Sequence, residues 1–290
     1  MDYRKDKRLS FRSVSLNFAG YFENGIFKID QGDEREARLK FEPVKLAVEK
    51  VLQTYRKNVG LDIEINSTIP VAAGLGSSAA VVTAVTAAVG ALLNLELSKE
   101  DIFRITYEAE KVVHGTPSGV DPAISTFGGT LLFQIDTGFK PLEVKTDMPL
   151  IIGDTGVERS TRVQIEKVRN MMDDYPRVAD PLKKAAREVV LRAIDALKEN
   201  DLETLGKLMN INQALLYAVG VSDESLEWLI NASKKAGALG SKLTGAGGGG
   251  CMIALANNEK LQQVSEAIMR AGGRPFMARK TDEGVKIERT

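Results

Sequence analysis

Thr244-Gly-Ala-Gly-Gly-Gly-Gly-Cys251 runs without a break into the apolar stretch Met252-Ile-Ala-Leu255. Six glycines and alanines behind one threonine, followed directly by a strand-like run, mark a place where backbone closely approaches something else. Glycine permits that approach because it has no Cβ and tolerates positive φ. A second glycine loop, Pro70-Val-Ala-Ala-Gly74-Leu-Gly76-Ser77-Ser78-Ala-Ala80, stands far upstream between a strand-like and a helix-like segment. Two such loops in one chain point to close backbone approach to a ligand at two places, and phosphate is the ligand that most often asks for it.

Around these loops the chain has a mixed helix and strand pattern. Leu9, Phe11, Val14, Leu16 and Phe18 alternate with polar residues, with one slip of register, which reads as a bulged strand. Glu23-Asn24-Gly25 is a hairpin turn signal before Ile26-Phe27-Lys28-Ile29. Pro43 reads as the opening of a helix with Val44, Ala47, Val48, Val51 and Leu52 on one face. Leu61 to Ile65 alternates as a half-buried strand. The first glycine loop leads into an Ala/Val-rich helix ending near Leu93, and Ser98-Lys-Glu-Asp101 starts another. Phe127-Gly-Gly129 breaks the pattern before the strand Thr130 to Phe133. A strand at Pro149 to Ile152 precedes helices from Thr161, Leu182 to Leu197, Leu202 to Val219, and Ser222 onward. Cys251 to Ala256 reads as a strand, Glu259 to Ala271 as a helix, and strands close the chain around Phe276 and Val285. The spacing lacks the regular rhythm of strand-helix-strand units, so a two-domain α+β fold is favoured over a doubly wound sheet. The expected division is 1–158 and 159–290.

Bulk properties narrow the class. A chain of 290 residues buries about 75% of its extended surface. Thirty-nine basic residues balance 39 acidic ones, so nothing points to nucleic acid or a membrane surface as partner. One cysteine, Cys251, excludes an internal disulfide framework and suits a reducing cytoplasm. The charged Met1-Asp-Tyr-Arg-Lys-Asp-Lys-Arg8 carries no secretory signal. The longest apolar run, Ala79 to Leu93, contains threonines and is short for a membrane span.

Each motif has a plain structural reading beside a chemical one. Neither glycine loop ends in the Gly-Lys-Ser/Thr of a Walker A motif, and neither fits the dinucleotide fingerprint. Gly74 to Ser78 precedes a helix, whose N-terminal N–H groups attract anions while the serine hydroxyls suit phosphate or Mg²⁺. The plain reading makes Ser77 or Ser78 an N-cap. For the Thr244 loop it is a tight turn, for which four consecutive glycines are entropically costly. Glu110-Lys-Val-Val-His114-Gly-Thr-Pro-Ser118-Gly-Val-Asp121-Pro122 places two acidic residues on either side of a turn. One acid could hold a metal while the other takes a proton. The plain reading makes Asp121 an N-cap before a first-turn proline, and Glu110 a solvated helix charge. His114, the single histidine, reads as a loop-pinning residue and excludes multi-histidine metal sites.

Taken in order, these three motifs resemble the GHMP kinase superfamily, most nearly its archaeal-type mevalonate kinases, from Leu61 to the C-terminus. Ile152-Gly-Asp-Thr-Gly156 and Leu208-Met-Asn-Ile-Asn-Gln213 share the resemblance. It implies a ribosomal protein S5 domain 2-like N-terminal domain and a ferredoxin-like C-terminal one. It implies an ATP phosphate loop at Pro70, Ala73, Gly74, Leu75, Gly76, Ser77, Ser78 and Ala79. It further implies Mg²⁺ on Ser78 and Glu110, and Asp121 as the catalytic base. His114, Gly115, Ser118 and Thr161 would line the substrate pocket, with Thr244, Gly245, Ala246, Gly247 and Gly248 shaping the site beside the phosphates. The implied reaction moves the ATP γ-phosphoryl group to the primary hydroxyl of mevalonate, in a cytoplasmic homodimer.

The sequence departs from the family pattern in one respect. The family's leading apolar strand and Pro-Gly-Lys…Gly-Glu-His motif, whose lysine reaches the catalytic aspartate, is not present in these residues. Met1 to Ser13 resemble the strand that follows it, and the expectation is a start placed downstream of the motif. A protein truly lacking it would lose a sheet strand and a catalytic cation, about 10²–10³ in rate for one preorganised donor. Two rivals stand beside this reading. One is a sibling kinase acting on homoserine, a sugar or phosphomevalonate, separable by comparing those alcohols. The other is a non-catalytic nucleotide-binding relative, against which Ser78, Glu110 and Asp121 together speak.

Overall fold

The computed structural model describes residues 1–4, 6–69, 75–114, 118–144, 147–158 and 160–288, with the side chains of 113 and 114 excepted. By internal contact the chain forms two compact units. One is built mainly from Met1–Ile69 and Gly76–Leu142, and the other from Glu143–Lys280. Residues from Thr281 onward belong with the first unit. Segment 143–158 therefore lies with the second unit, whereas the sequence placed a single boundary at 158.

The first unit opens with strands β1 (Asp2–Arg4), β2 (Leu9–Ser13), β3 (Phe18–Glu23) and β4 (Ile26–Gln31). Helix α1 (Glu34–Thr54) and strand β5 (Gly60–Ile65) follow. The sheet order is β1-β5-β2-β3-β4, with β2 and β5 parallel and the other neighbours antiparallel. The expected bulged strand is two strands instead. Val14 to Asn17 turn the chain, with Asn17 at φ 56°, so the register slip in the sequence was a reversal. The Asn24-Gly25 turn joins β3 to β4 as expected.

Pro43 does not start α1. The helix begins nine residues earlier, where Asp33 accepts a hydrogen bond from the Glu36 N–H at 2.8 Å, and Pro43 lies buried inside it. A carboxylate cap and two first-turn glutamates establish the start. The proline merely leaves one i−4 carbonyl without its helical donor.

Helices α2 (Ser77–Leu92), α3 (Lys99–His114) and α4 (Val120–Phe127) complete the layer, followed by the hairpin β6 (Thr130–Gln134) and β7 (Gly138–Leu142). Ser98 and Asp101 cap α3 reciprocally: the Asp101 N–H donates to Ser98 Oγ at 3.1 Å, and the Ser98 N–H to Asp101 Oδ2 at 3.2 Å. Phe11, Phe22, Phe27 and Phe41 interlock between the sheet and α1, with Phe11 and Phe41 stacked at 5.5 Å. Val82, Val85 and Val89 of α2 and Ile105 of α3 close the same core. The Val285 segment is not a strand. The Val285 N–H donates to Thr126 O at 3.2 Å, so it docks on the end of α4.

The second unit holds β8 (Leu150–Asp154), α5 (Thr161–Asp174), α6 (Pro176–Glu199), α7 (Leu202–Ala218) and α8 (Glu224–Lys235). Strands β9 (Gly240–Leu243) and β10 (Cys251–Leu255), helix α9 (Leu261–Arg270) and β11 (Arg274–Ala278) complete it. The strand order β11-β8-β10-β9 is antiparallel throughout. With α8 after β8 and α9 after β10, this is the βαββαβ order of a ferredoxin-like unit with α5 to α7 inserted. Alternation divides the sheet faces. Ile151, Leu243, Met252 and Ala254 pack with Leu226, Leu229 and Ile230 of α8 and Val264 and Ile268 of α9. Leu150, Ile253 and Leu255 pack with Ala196 of α6 and Leu205 and Met209 of α7. Helix α6 starts six residues before the expected Leu182, because Pro176 sits at a first-turn position where its missing N–H costs nothing.

The edge of β9 is covered by side chains of α7. The N–H of Ser241 donates to Asn210 Oδ1 at 3.1 Å, and that of Leu243 to Gln213 Oε1 at 2.9 Å. Spaced three apart on one helix face, these two amides satisfy groups that an edge strand otherwise leaves open.

Candidate active site

The helix starts decide between the plain and chemical readings of two motifs. The N-cap of α2 is Gly76, at φ 68°, with no side-chain cap bond. Ser77 and Ser78 are therefore the first two helical residues, and neither is the cap. Their hydroxyls are left to the N-terminal end of the helix, where backbone N–H groups and the helix dipole favour an anion. Ser77 is half-buried, Ser78 exposed and Ala79 fully buried under the helix. The N-cap of α4 is likewise a glycine, Gly119, beneath the Tyr107 ring, and Asp121 is the second helical residue. The reading of Asp121 as an N-cap is thus corrected. A glycine with positive φ makes the entry turn, and the Asp121 side chain does not cap the helix.

Helices α2, α3 and α4 pack on one another, and this brings the first and second motifs together. A Cβ built on Gly76 would lie 3.4 Å from Asp121 Cγ, so the carboxylate rests against the backbone that opens α2. Glu110, in the last turns of α3, is 7% exposed. Burial, and then the neighbouring Asp121 charge, push its carboxyl up to about 7. The expected solvated helix charge is instead a desolvated acid beside a second acid. Pro70, Ala73, Gly74 and Gly115 lie outside the described residues, as does the side chain of His114; Leu75 is half-buried. Ser118 is exposed and accepts from the Val120 N–H at 3.4 Å.

The second unit holds the Thr244 loop. The Thr244 N–H still donates into the ladder, to Cys251 O at 3.0 Å. Gly245, Gly247, Gly248, Gly249 and Gly250 all have positive φ, from 70° to 109°. Neighbouring segments grip the loop from outside. The N–H of Gly248 donates to Val221 O at 2.7 Å, and that of Gly250 to Val157 O at 2.9 Å. A Cβ on Gly247 would stand 2.1 Å from Val221 O, and one on Gly248 2.1 Å from Gln164 Nε2. The glycines are thus required in part by the protein's own packing, which the sequence did not reveal. Ala246 is half-buried within the turn.

Thr161 is the first residue of α5, exposed, behind the N-cap Ser160, which accepts from the Val163 N–H. Sequence reasoning passed over Gln164. It is the one buried residue of α5, and among the described residues its Oε1 has no hydrogen-bond partner. The available signal was a polar residue on the same stripe as the partly buried Val168, Met171 and Met172.

The oxygen donors fit a hard divalent cation. Ser78 offers a hydroxyl at a helix start and Glu110 a carboxylate, and among the described residues there is no cluster of three or more His, Cys, Asp or Glu. Mg²⁺ suits such a site, because it is usually held by one or two carboxylates together with waters and substrate phosphates. Among the described residues, no helix is long and apolar enough to cross a membrane.

Comparison with known proteins bears on the same motifs. The model of the GHMP kinases N terminal domain matches residues 42–129, and that of the GHMP kinases C terminal matches residues 193–274. The mevalonate kinase of Pyrococcus horikoshii is 43% identical over 269 residues, covering 90% of this chain and 78% of the relative. Among solved structures, the Methanococcus jannaschii mevalonate kinase aligns with TM-score 0.81 at 25% identity, over 97% of this chain and 87% of that one. The L. major mevalonate kinase in complex with R-mevalonate aligns with TM-score 0.77 at 28% identity, over 85% and 78%. The resemblance carried by the three motifs thus extends over both units, and the chain belongs to the GHMP kinases, within them to the mevalonate kinase family.

Proposed function

We propose that this kinase transfers the γ-phosphoryl group of ATP to the primary hydroxyl of (R)-mevalonate, giving 5-phosphomevalonate for isoprenoid synthesis. One observation carries the assignment of roles: Asp121 rests against Gly76 at the start of α2 while facing the buried Glu110. The start of α2, expected to bind phosphates, and the two acids expected to serve metal and proton lie together in the first unit.

Phosphoryl transfer asks a protein mainly to position the reactants and stabilise charge. The N-terminus of α2, with Ser77 and Ser78, binds and orients phosphoryl oxygens through backbone N–H groups and hydroxyls. Ser78 and Glu110 would hold Mg²⁺, which when bound neutralises charge on the β- and γ-phosphoryl oxygens. Asp121 accepts the hydroxyl proton or orients the hydroxyl for attack. Ser118 and Thr161 are assigned to the substrate pocket, and Thr244 to Gly248 to the wall beside the phosphates. The reading includes a homodimer and a cytoplasmic location, the latter supported by the lone cysteine, Cys251, buried in β10.

The test is ATP-dependent phosphorylation assayed with mevalonate, homoserine, galactose and phosphomevalonate in parallel. Mevalonate is expected to give the highest kcat/KM. Preference for another alcohol would move the assignment to a sibling kinase, and MgATP binding without turnover on any would make the chain a nucleotide-binding relative.

A further inference from the structure

Helix α4 carries Asp121 in its first turn, and its own sequence does little to hold it in place. Eight residues make a helix about 12 Å long, and isolated helices shorter than about 12–15 residues are marginal in water. Neither end has a side-chain cap: Gly119 opens the helix and Gly128 closes it, both with positive φ. Its buried face is Pro122, Ala123 and Thr126, packed with α2 and α3, and Phe127 meets the Phe103 ring at 5.8 Å.

The exit of α4 is closed by backbone from far along the chain. The Val285 N–H donates to Thr126 O at 3.2 Å, supplying a donor that last-turn carbonyls lack within the helix. In return the Gly129 N–H donates to Thr281 O at 3.0 Å. Between these two bonds the backbones touch directly. A Cβ on Gly128 would stand 2.4 Å from the carbonyl carbon of Glu283, and one on Gly284 2.2 Å from Thr126 O. Gly284 does not have positive φ, so contact, not backbone conformation, excludes a side chain there. Gly284 and Val285 are half-buried, whereas Thr281 to Glu283 and Lys286 to Glu288 are exposed. Backbone against backbone buries little apolar side chain and adds little to the core. What it supplies is a fixed distance between this segment and the end of α4. All of these residues lie in the first unit with Asp121.

We infer that Thr281–Val285 is a positioning segment for the reaction: it clamps the C-terminal end of α4 and, through the helix, fixes the Asp121 carboxylate against Gly76 at the other end. A short helix passes a shift at one end to the other, and a displacement of about 1 Å at a reacting group can cost about 10²-fold in rate. The inference rests on the role given to Asp121 above.

The test uses the full chain with Gly284→Ala and Gly284→Val, which push the segment away from Thr126 by contact. Lys286→Ala is the control, an exposed residue of the same segment paired with Glu283 and Glu288. Assayed well below each melting temperature, Gly284→Ala is expected to lower kcat at least fivefold and Gly284→Val further. The KM of MgATP and of mevalonate should stay within threefold, and Lys286→Ala should match the unaltered chain within twofold throughout. A merely structural segment would lower the melting temperature and leave kcat alone. An unchanged kcat in Gly284→Val, or an equal loss in Lys286→Ala, would overturn the inference. Hydrogen exchange on the unaltered chain needs neither a variant nor activity. Under mild denaturant the amides of α4, Gly129 and Val285 should open together, before those of β8 and β10. Amides of α4 that stay protected once Val285 exchanges freely would also overturn it. If the unaltered chain phosphorylates no alcohol, the functional reading fails on its own, and exchange still decides whether the segment holds α4.

Discussion

The carboxylate of Asp121 lies against the α-carbon of Gly76, with Cγ 3.4 Å from where a side chain at Gly76 would begin. This contact joins two motifs that stand 45 residues apart in the chain. Asp121→Asn keeps the volume and removes the base. Turnover is expected to be abolished, with the circular dichroism spectrum and melting temperature unchanged to within a few degrees. Near-normal turnover would remove Asp121 from its assigned role. Gly76→Ala tests the contact itself. Its φ of 68° makes any side chain cost about 1–2 kcal/mol, and the new methyl presses on the carboxylate, so kcat should fall at least tenfold.

Glu110 gives the metal-free protein a pH dependence of known sign. Burial and the Asp121 charge push its carboxyl up to about 7 in the folded state, above the ordinary glutamate value of 4.5 that holds in the unfolded chain. Between these values the folded state binds a proton that the unfolded state does not, so stability falls as pH rises. Without Mg²⁺ the melting temperature should drop from pH 5 to pH 8, and Glu110→Gln should remove most of that drop. An equal drop in the variant would assign the effect to other groups. Metal binding requires the ionised form, so the Mg²⁺ requirement should tighten as pH rises through 7.

Gln164 and Gly248 form a pair suited to a double-mutant cycle. A side chain at Gly248 would stand 2.1 Å from Gln164 Nε2 and 2.5 Å from Cδ. Gln164 is 6% exposed, leaving it little room to swing away. Gly248→Ala should destabilise the protein by about 2–4 kcal/mol, combining backbone strain and overpacking. Gln164→Ala opens the space, so the double variant should be less destabilised than the sum of the singles by about 1 kcal/mol or more. Strict additivity in chemical denaturation would show that the two residues do not share this volume.

Gln164→Met separates stability from activity. Removing a buried carbonyl oxygen without a partner typically recovers about 1–3 kcal/mol, so the variant should melt a few degrees higher. If the amide also fixes the glycine loop, kcat/KM should fall in the same variant. Gain in both would reduce Gln164 to a tolerated defect.

Gly247→Ala should be the most damaging substitution in the loop. The obstructing atom is a backbone oxygen, Val221 O, at 2.1 Å, and it already accepts from the Gly248 N–H. Neither segment yields without losing that bond. Loss of expression or a collapse in melting temperature is expected, and an ordinary melt would show that the loop shifts cheaply.

Local chemistry in the chain was enough to give most of the longer helices, the α+β class, the Asn24-Gly25 turn, the Ser98/Asp101 cap and the order of the three motifs, whereas the strand expected at Val285 is not one. Each depends on residues close in sequence, where periodicity and turn preference act. Boundaries set by competing signals were less legible. Pro43 is a helix-start signal that the Asp33 cap overrode, and the Val14–Phe18 alternation concealed a turn. Ser77, Ser78 and Asp121 are good caps in isolation, yet Gly76 and Gly119 took those positions, because the chain enters both helices with positive φ. The burial of Glu110, the contact of Asp121 with Gly76 and the grip of Val221 and Gln164 on the glycine loop join residues far apart in the chain. Such relations follow from how helices and strands pack, and desolvation and close contact come into being only when distant segments exclude water together.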